Sequence, residues 1–94
     1  MAVTVLIKRQ LTPGNEDRLN SLYREMNSRA IKQEGYLGSE ILKRVDVDDQ
    51  MLVISRWKEL DDWTRWLVSS ERRILQEQID IITSADTKFE VYAD

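Results

Sequence analysis

MLVISRWKELDDWTRWL, residues 51–67, is the stretch that decides the fold. In its first half Met51, Val53 and Trp57 fall on one face of an alternating pattern and Leu52 and Ile54 on the other, as in a strand covered on both sides. From Leu60 the spacing changes. Leu60, Trp63 and Leu67 recur at helical intervals, so the strand runs almost directly into a helix over 60–68. All three tryptophans of the chain lie here. At about 100° per residue, Trp66 sits roughly 60° from Trp63, at the edge of the apolar stripe. Asp62, four residues earlier, is its neighbour on the helix surface. A large aromatic at a stripe edge beside a carboxylate is a pattern found in pocket linings. A half-buried core tryptophan beside an exposed aspartate would have the same spacing.

Working outward, Tyr36 to Val45 is a second strand, with Leu37, Ile41 and Val45 on one face and Tyr36, Glu40 and Arg44 on the other. It forms a hairpin with Gln50 to Trp57 across the polar turn 46–49. Further upstream, Asn15 to Glu34 carries Leu19, Leu22, Tyr23, Met26 and Ala30 as one helical stripe, and Gly35 stops it. Thr12, followed by Pro13, or Asn15 could cap this helix. Before it, Ala2 to Leu11 is a strand in which Val3, Val5 and Ile7 alternate with Thr4, Leu6 and Lys8. Downstream, Ser70 can cap a segment from Glu71 that carries Ile74, Leu75, Ile79 and Ile82. A polar stretch, Thr83 to Asp86, precedes a last strand, Thr87 to Ala93, with Phe89 and Val91 opposite Tyr92. The order β-α-β-β-α-β predicts an α+β, ferredoxin-like fold: a four-stranded antiparallel sheet with helices on one face. All four strands put apolar residues on both faces, so the open face predicts a second copy of the chain across a two-fold axis.

Composition narrows the function classes. The chain of 94 residues reads as one domain, 1–94. A net charge of −3 with scattered basic residues argues against nucleic acid, and no apolar run reaches the ~20 residues of a membrane span. No signal-peptide layout opens the chain, and no cysteine offers a disulfide framework, which fits a cytoplasmic location. There is no histidine either. That removes the commonest general base, the usual haem ligand and the Ser-His-Asp and Cys-His nucleophile systems. Asp46, Asp48 and Asp49 miss a calcium-loop pattern, since Met51 and Trp57 stand where glycine and glutamate are required; no metal is expected. Tyr23 and Tyr36 could direct hydroxyls into one cavity. Arg72 and Arg73 could hold an anionic group, or form a solvated face.

Several of these segments resemble the antibiotic biosynthesis monooxygenase (ABM) family of the dimeric α+β barrel superfamily. The likeness rests on Val5-Leu6-Ile7-Lys8 with Thr12-Pro13-Gly14, Gln33-Glu34-Gly35-Tyr36-Leu37 and Val53-Ile54-Ser55-Arg56-Trp57. It continues through Trp66-Leu67-Val68-Ser69-Ser70 with Glu71-Arg72 and Phe89-Glu90-Val91-Tyr92, essentially the whole chain. The resemblance implies a barrel built from two chains, a homodimer through the sheet face, and one pocket per chain between the sheet and its own helices. In the haem-degrading branch an asparagine, a tryptophan and a histidine carry activity. Those positions fall on Ile7, Trp66 and Gln76, so haem degradation is disfavoured. In members acting on hydroquinone-like substrates, a helix tryptophan and polar neighbours hold the ring.

Two functions follow as expectations. The first is a monooxygenase without cofactors, acting on a small aromatic ligand such as a quinol or anthrone. Trp66 and Asp62 would be catalytic, with Tyr23, Tyr36, Trp57 and Arg72 binding substrate. The second is a non-catalytic dimeric module that binds a small ligand or serves under stress. An open pocket reaching Trp66 with the Asp62 carboxylate turned inwards favours the first, and a closed, dry core the second.

Overall fold

The computed structural model describes residues 1–11, 13–83 and 88–94. The elements run β1 (Val3–Gln10), α1 (Glu16–Ala30), β2 (Tyr36–Lys43), β3 (Gln50–Trp57), α2 (Leu60–Leu67), α3 (Ser70–Thr83) and β4 (Lys88–Ala93). The strands form one antiparallel sheet in the order β2-β3-β1-β4, the ferredoxin-like arrangement. The two helical segments expected over 60–68 and from Glu71 are α2 and α3. Thr12, one of the two candidate caps, and Ser84 to Thr87, within the expected polar stretch and strand start, lie outside the described residues. Asn15 is the N-cap of α1 but makes no side-chain capping bond.

Alternation along β1 sets the inner face. Val3, Val5, Ile7 and Arg9 are buried, while Lys8 and Gln10 are exposed. The β1–β3 register places Trp57, Ser55, Val53 and Met51 beside them, and the β1–β4 register adds Val91 and Phe89. Leu19, Leu22, Tyr23 and Ala30 of α1 are buried, the stripe expected from spacing. Two apolar clusters result. One gathers Val3, Val5, Ile7, Ala30 and the three tryptophans. The other gathers Leu19, Leu22, Tyr23, Met51, Leu75 and Ile79, and Met26 and Val53 pack against both.

Four expectations are corrected. Helix α1 ends at Ala30, with Ile31 as C-cap, rather than running to Glu34; Gly35, at φ +81°, is the left-handed residue of the turn leading into β2. In β2 the pairing slips between Tyr36 and Gly38, a β-bulge that leaves Leu37 as the extra residue, 60 % exposed. The bulge reverses the phase of the strand. Tyr36 therefore shares the inner face with Ser39 and Ile41, instead of lying opposite Ile41. In α2 the buried side is Asp62, Trp63 and Trp66, because Leu60 is 47 % exposed. In α3 the buried residues are Arg72, Leu75, Gln76, Ile79 and Thr83, a regular helical stripe carrying two long polar side chains, while Ile74 is exposed.

Ser69, not Ser70, caps α3. Its Oγ accepts from the Arg72 backbone N–H at 3.3 Å and donates to the Trp66 carbonyl at 2.7 Å. One hydroxyl thus joins the end of α2 to the start of α3 and fixes Trp66 relative to Arg72. The hairpin turn 46–49 is closed by Arg44, whose Nε and Nη2 donate to both Asp46 carboxylate oxygens at 2.6 and 3.1 Å. Those bonds hold Asp46 below the usual carboxylate range.

The outer face of the sheet carries no helix. The register aligns Leu6 with Ile54, and Leu52 with Leu42. Leu6, Leu52 and Ile54 are half-buried, while Leu42 and Tyr92 are 46 % and 53 % exposed. Ion pairs Lys8–Glu90 and Arg56–Glu40 border this apolar centre.

Candidate functional site

Between the inner face of the sheet and its helices lies a cavity of about 390 Å³. That volume suits a small organic ligand. Its apolar walls come from both clusters: Ile7, Val53 and Met26, then Trp57, Trp63 and Trp66. Exposed Asn20, Arg24, Asn27 and Ser39 form a polar mouth between α1 and β2.

The aromatic wall is ordered by ring contacts. Trp57 sits at its centre, edge-to-face with Tyr36 at 5.2 Å, tilted to Trp63 at 6.0 Å and stacked near-parallel with Trp66 at 6.4 Å. Trp57 is 1 % exposed and its indole N–H donates to Ser55 Oγ at 3.2 Å. Its polar group is therefore spent inside the protein. Trp66, 4 % exposed, lines the cavity and makes no such donation to a described residue. At the mouth the Tyr36 hydroxyl lies 2.9 Å from Asn27 Oδ1 and 2.7 Å from Ser39 Oγ, and Ser39 Oγ donates to Asn27 Oδ1 at 3.2 Å. This triangle ties β2 to α1 across the opening.

Two buried arginines, Arg9 and Arg72, also line the cavity as its polar wall. Arg9 and Arg72 each donate to Gln76 Oε1 at 3.1 Å, and Gln76 Nε2 donates to Asp80 Oδ1 at 2.8 Å. Arg72 also lies over the rings of Trp63, at 5.4 Å, and Phe89, at 4.9 Å. Arg9 lies over the ring of Tyr23 at 5.3 Å. Burial, with Arg9 close by, pushes the Arg72 guanidinium down to about 10, and burial lowers Arg9 too. The Tyr23 hydroxyl is buried, with no hydrogen-bond partner among the described residues. Burial pushes it up to about 12, against the opposing pull of Arg9.

Tyr23 is thus a neutral donor rather than a base at neutral pH, and its titration has a defined sign. The folded state holds the phenol proton more tightly than the unfolded chain does, so this contribution is complete below pH 10 and is lost as pH rises towards 12. Denaturant melts across that range should show the wild type losing stability faster than Tyr23→Phe. Parallel losses would contradict the burial of this hydroxyl.

Of the residues singled out from sequence, Trp66, Trp57, Tyr23, Tyr36 and Arg72 all line the cavity. Asp62 does not. It is buried behind α2, where its carboxylate accepts from Arg65 at 3.2 Å and its side chain packs against Gly35. Burial of the α2 face from Asp62 to Trp66 turns the carboxylate towards the loop before β2 instead of the ligand space. A Cβ on Gly35 would overlap the Asp62 carboxylate and lie 2.6 Å from its Cβ. Gly35→Ala, strained at φ +81° as well, should lower the melting temperature by about 5 °C or more. An unchanged melting curve would refute this close approach.

Sequence reasoning missed Arg9 and Trp63 as parts of the cavity wall, and Gln76 as the partner shared by its two arginines. Arg9 was legible, since it continues the Val3-Val5-Ile7 alternation. Gln76 was not, because a hydrophobic stripe search passes over it. Among the described residues no cluster of three or more His, Cys, Asp or Glu side chains could hold a metal ion, and no helix is long and apolar enough to cross a membrane.

Known structures share this architecture. A conserved protein from Methanosarcina mazei superposes with a TM-score of 0.91 at 15 % identity, covering 100 % of this chain and 93 % of its own. SnoaB, a cofactor-independent oxygenase from Streptomyces nogalater, gives 0.86 at 15 % identity over 99 % and 92 %. Rv0793 from Mycobacterium tuberculosis gives 0.86 at 14 % over 100 % and 95 %. At such identities the likeness speaks for the fold alone. No curated protein matches the sequence. The sequence profile of antibiotic biosynthesis monooxygenases, however, matches residues 2–78, most of the chain and every cavity-lining residue. On that match the chain belongs to the antibiotic biosynthesis monooxygenase family.

Proposed function

We propose that this protein is a cofactor-independent monooxygenase for a small aromatic substrate of the quinol or anthrone type. The observation that carries the proposal is the open cavity with Trp66 in its wall, stacked on Trp57. Family membership supports it, as does the fold shared with an enzyme described as a cofactor-independent oxygenase.

In this chemistry an anthrone-type CH₂ loses a proton, and the resulting carbanion passes an electron to dioxygen. The radical pair collapses to a carbon-bound peroxide, and loss of water leaves a carbonyl. One oxygen atom enters the product and the other leaves as water. The protein positions the ring against Trp57 and Trp66 and excludes bulk water. Asp62, outside the cavity, takes no part as a base; its place behind Gly35 makes it a positioning residue for the β2 entry and Tyr36. Incubation with an anthrone under isotopically labelled dioxygen tests the reaction. One labelled atom in the product carbonyl is expected; label incorporated only at the rate of buffer would overturn the proposal.

The working unit in this proposal is a cytoplasmic homodimer closed through the outer sheet face, where Leu6, Leu42, Leu52, Ile54 and Tyr92 lack an intrachain cover. The alternative, a non-catalytic dimeric ligand-binding or stress-associated module, is favoured by one specific observation: the one Asp or Glu among the described lining residues is Glu40, whose carboxylate pairs with Arg56 on the outer face.

A further inference from the structure

The polar wall is unusual for an apolar cavity. Arg72 is 4 % exposed, yet it makes no ion pair among the described residues. Its described polar partner is the neutral Gln76 carbonyl, which it shares with a second buried arginine. Two like charges converging on one oxygen repel each other. A desolvated guanidinium that feels the Asp80 carboxylate only through space, with no described bond to it, forgoes the strong bidentate bonds its geometry is made for. The rings of Trp63 and Phe89, with centroids 5.4 and 4.9 Å from the guanidinium carbon, compensate in part. Next to this pair, joined to it through Arg9, stands the Tyr23 hydroxyl, a buried donor with no described acceptor. A buried hydroxyl with no described acceptor, beside a guanidinium that shares a single amide oxygen, has donor capacity left for an oxygen of the ligand.

We infer that Arg72 and the Tyr23 hydroxyl form an oxyanion-binding end of the cavity, so that the ligand is a planar aromatic bearing a carboxylate or phenolate oxygen. The ring occupies the wall of Trp57, Trp63 and Trp66, and the oxyanion sits at the α3 end. Gln76, oriented by Asp80, holds the two guanidinium groups in place between binding events. This rests on the cavity being the ligand site of the proposed oxygenase, and it narrows the substrate class to aromatic acids and acidic phenols. It also assigns Arg72 a cost in the empty protein. Its lowered ionisation means that the folded chain carries the charge less readily than the unfolded one, so at neutral pH the unliganded fold is weakened by it.

Binding can be tested without turnover, through quenching of tryptophan fluorescence by naphthoate, the isosteric naphthamide, and a nitronaphthol that is ionised at neutral pH. The wild type should bind naphthoate about tenfold or more tighter than naphthamide. Tighter binding of the nitronaphtholate as well would assign both oxyanion sources, and its absence would assign the carboxylate. Arg72→Met should bind acid and amide equally while melting no lower than the wild type. Tyr23→Phe should lose part of the preference, and Arg72→Lys should retain part of it. Equal binding of acid and amide by the wild type would overturn the inference. So would an Arg72→Met protein that loses stability and both ligands together, since Arg72 would then serve the fold. Oxygen uptake without any preference for the acid would leave the oxygenase standing and the oxyanion site refuted. A preference for the acid without uptake would do the reverse.

Discussion

Trp66→Ala is expected to lower quinol- or anthrone-dependent oxygen uptake by about a hundredfold or more, the scale on which misplacing a reacting group is felt. The indole stacks near-parallel on Trp57 and forms part of the cavity wall. In the proposed reaction its loss removes the surface that orients the ring. Truncating a buried tryptophan also costs about 3–5 kcal/mol, a large share of the roughly 5–15 kcal/mol of a small domain. Trp66→Phe is therefore the companion variant. It keeps an aromatic face and most of the packing but lacks the N–H, and it should fall between wild type and Ala while melting near the wild type. Trp57→Phe offers the contrast, since that indole N–H is already bonded to Ser55. It should alter stability more than turnover. Full activity in Trp66→Ala, in a protein shown to be folded, would remove Trp66 from the mechanism.

The second large effect concerns the outer face of the sheet. Ile54 lies at its centre, aligned with Leu6 on β1 and Glu40 on β2. Ile54→Asp should convert the proposed dimer to a monomer in sedimentation velocity at micromolar concentration. A charge buried without a partner costs an interface about 2–5 kcal/mol, and a two-fold axis applies that cost twice. The substituted residue faces away from the cavity, so the monomer should keep its helix content while exposing a larger apolar area. Lys8→Glu, at the rim and paired with Glu90 at 3.2 Å, should weaken association far less. A wild type that sediments as a monomer at all concentrations would refute the barrel.

The fold was largely legible because it depends on period. The two-residue alternation of β1 and β3 and the helical stripe of α1 give strand and helix directly, and the open face follows from apolar residues on both sides of every strand. The site was legible where aromatic residues mark it: Trp66, Trp57, Tyr23 and Tyr36 meet in one cavity. It was obscured where register or polarity intervened. The bulge at Leu37 shifts the phase of β2 by one residue, and nothing in Gly35-Tyr36-Leu37-Gly38 announces it beyond its glycines. Asp62 and Trp66 are neighbours on one helix and both are buried. They still serve different spaces, because Gly35 leaves room for the Asp62 carboxylate behind the helix. The stripe of α3 runs through Arg72 and Gln76, so a search for apolar spacing rotates it towards Ile74, which is exposed.

The most direct test of the central claim is the rate of oxygen consumption by the wild-type protein, dialysed against chelator, with an anthrone or menadiol-type substrate. Saturable uptake well above the buffer rate, one product carbonyl per dioxygen consumed with an anthrone and loss of activity in Trp66→Ala are expected. Uptake no faster than buffer across a panel of quinols and anthrones would contradict the assignment of this cavity to oxygenation.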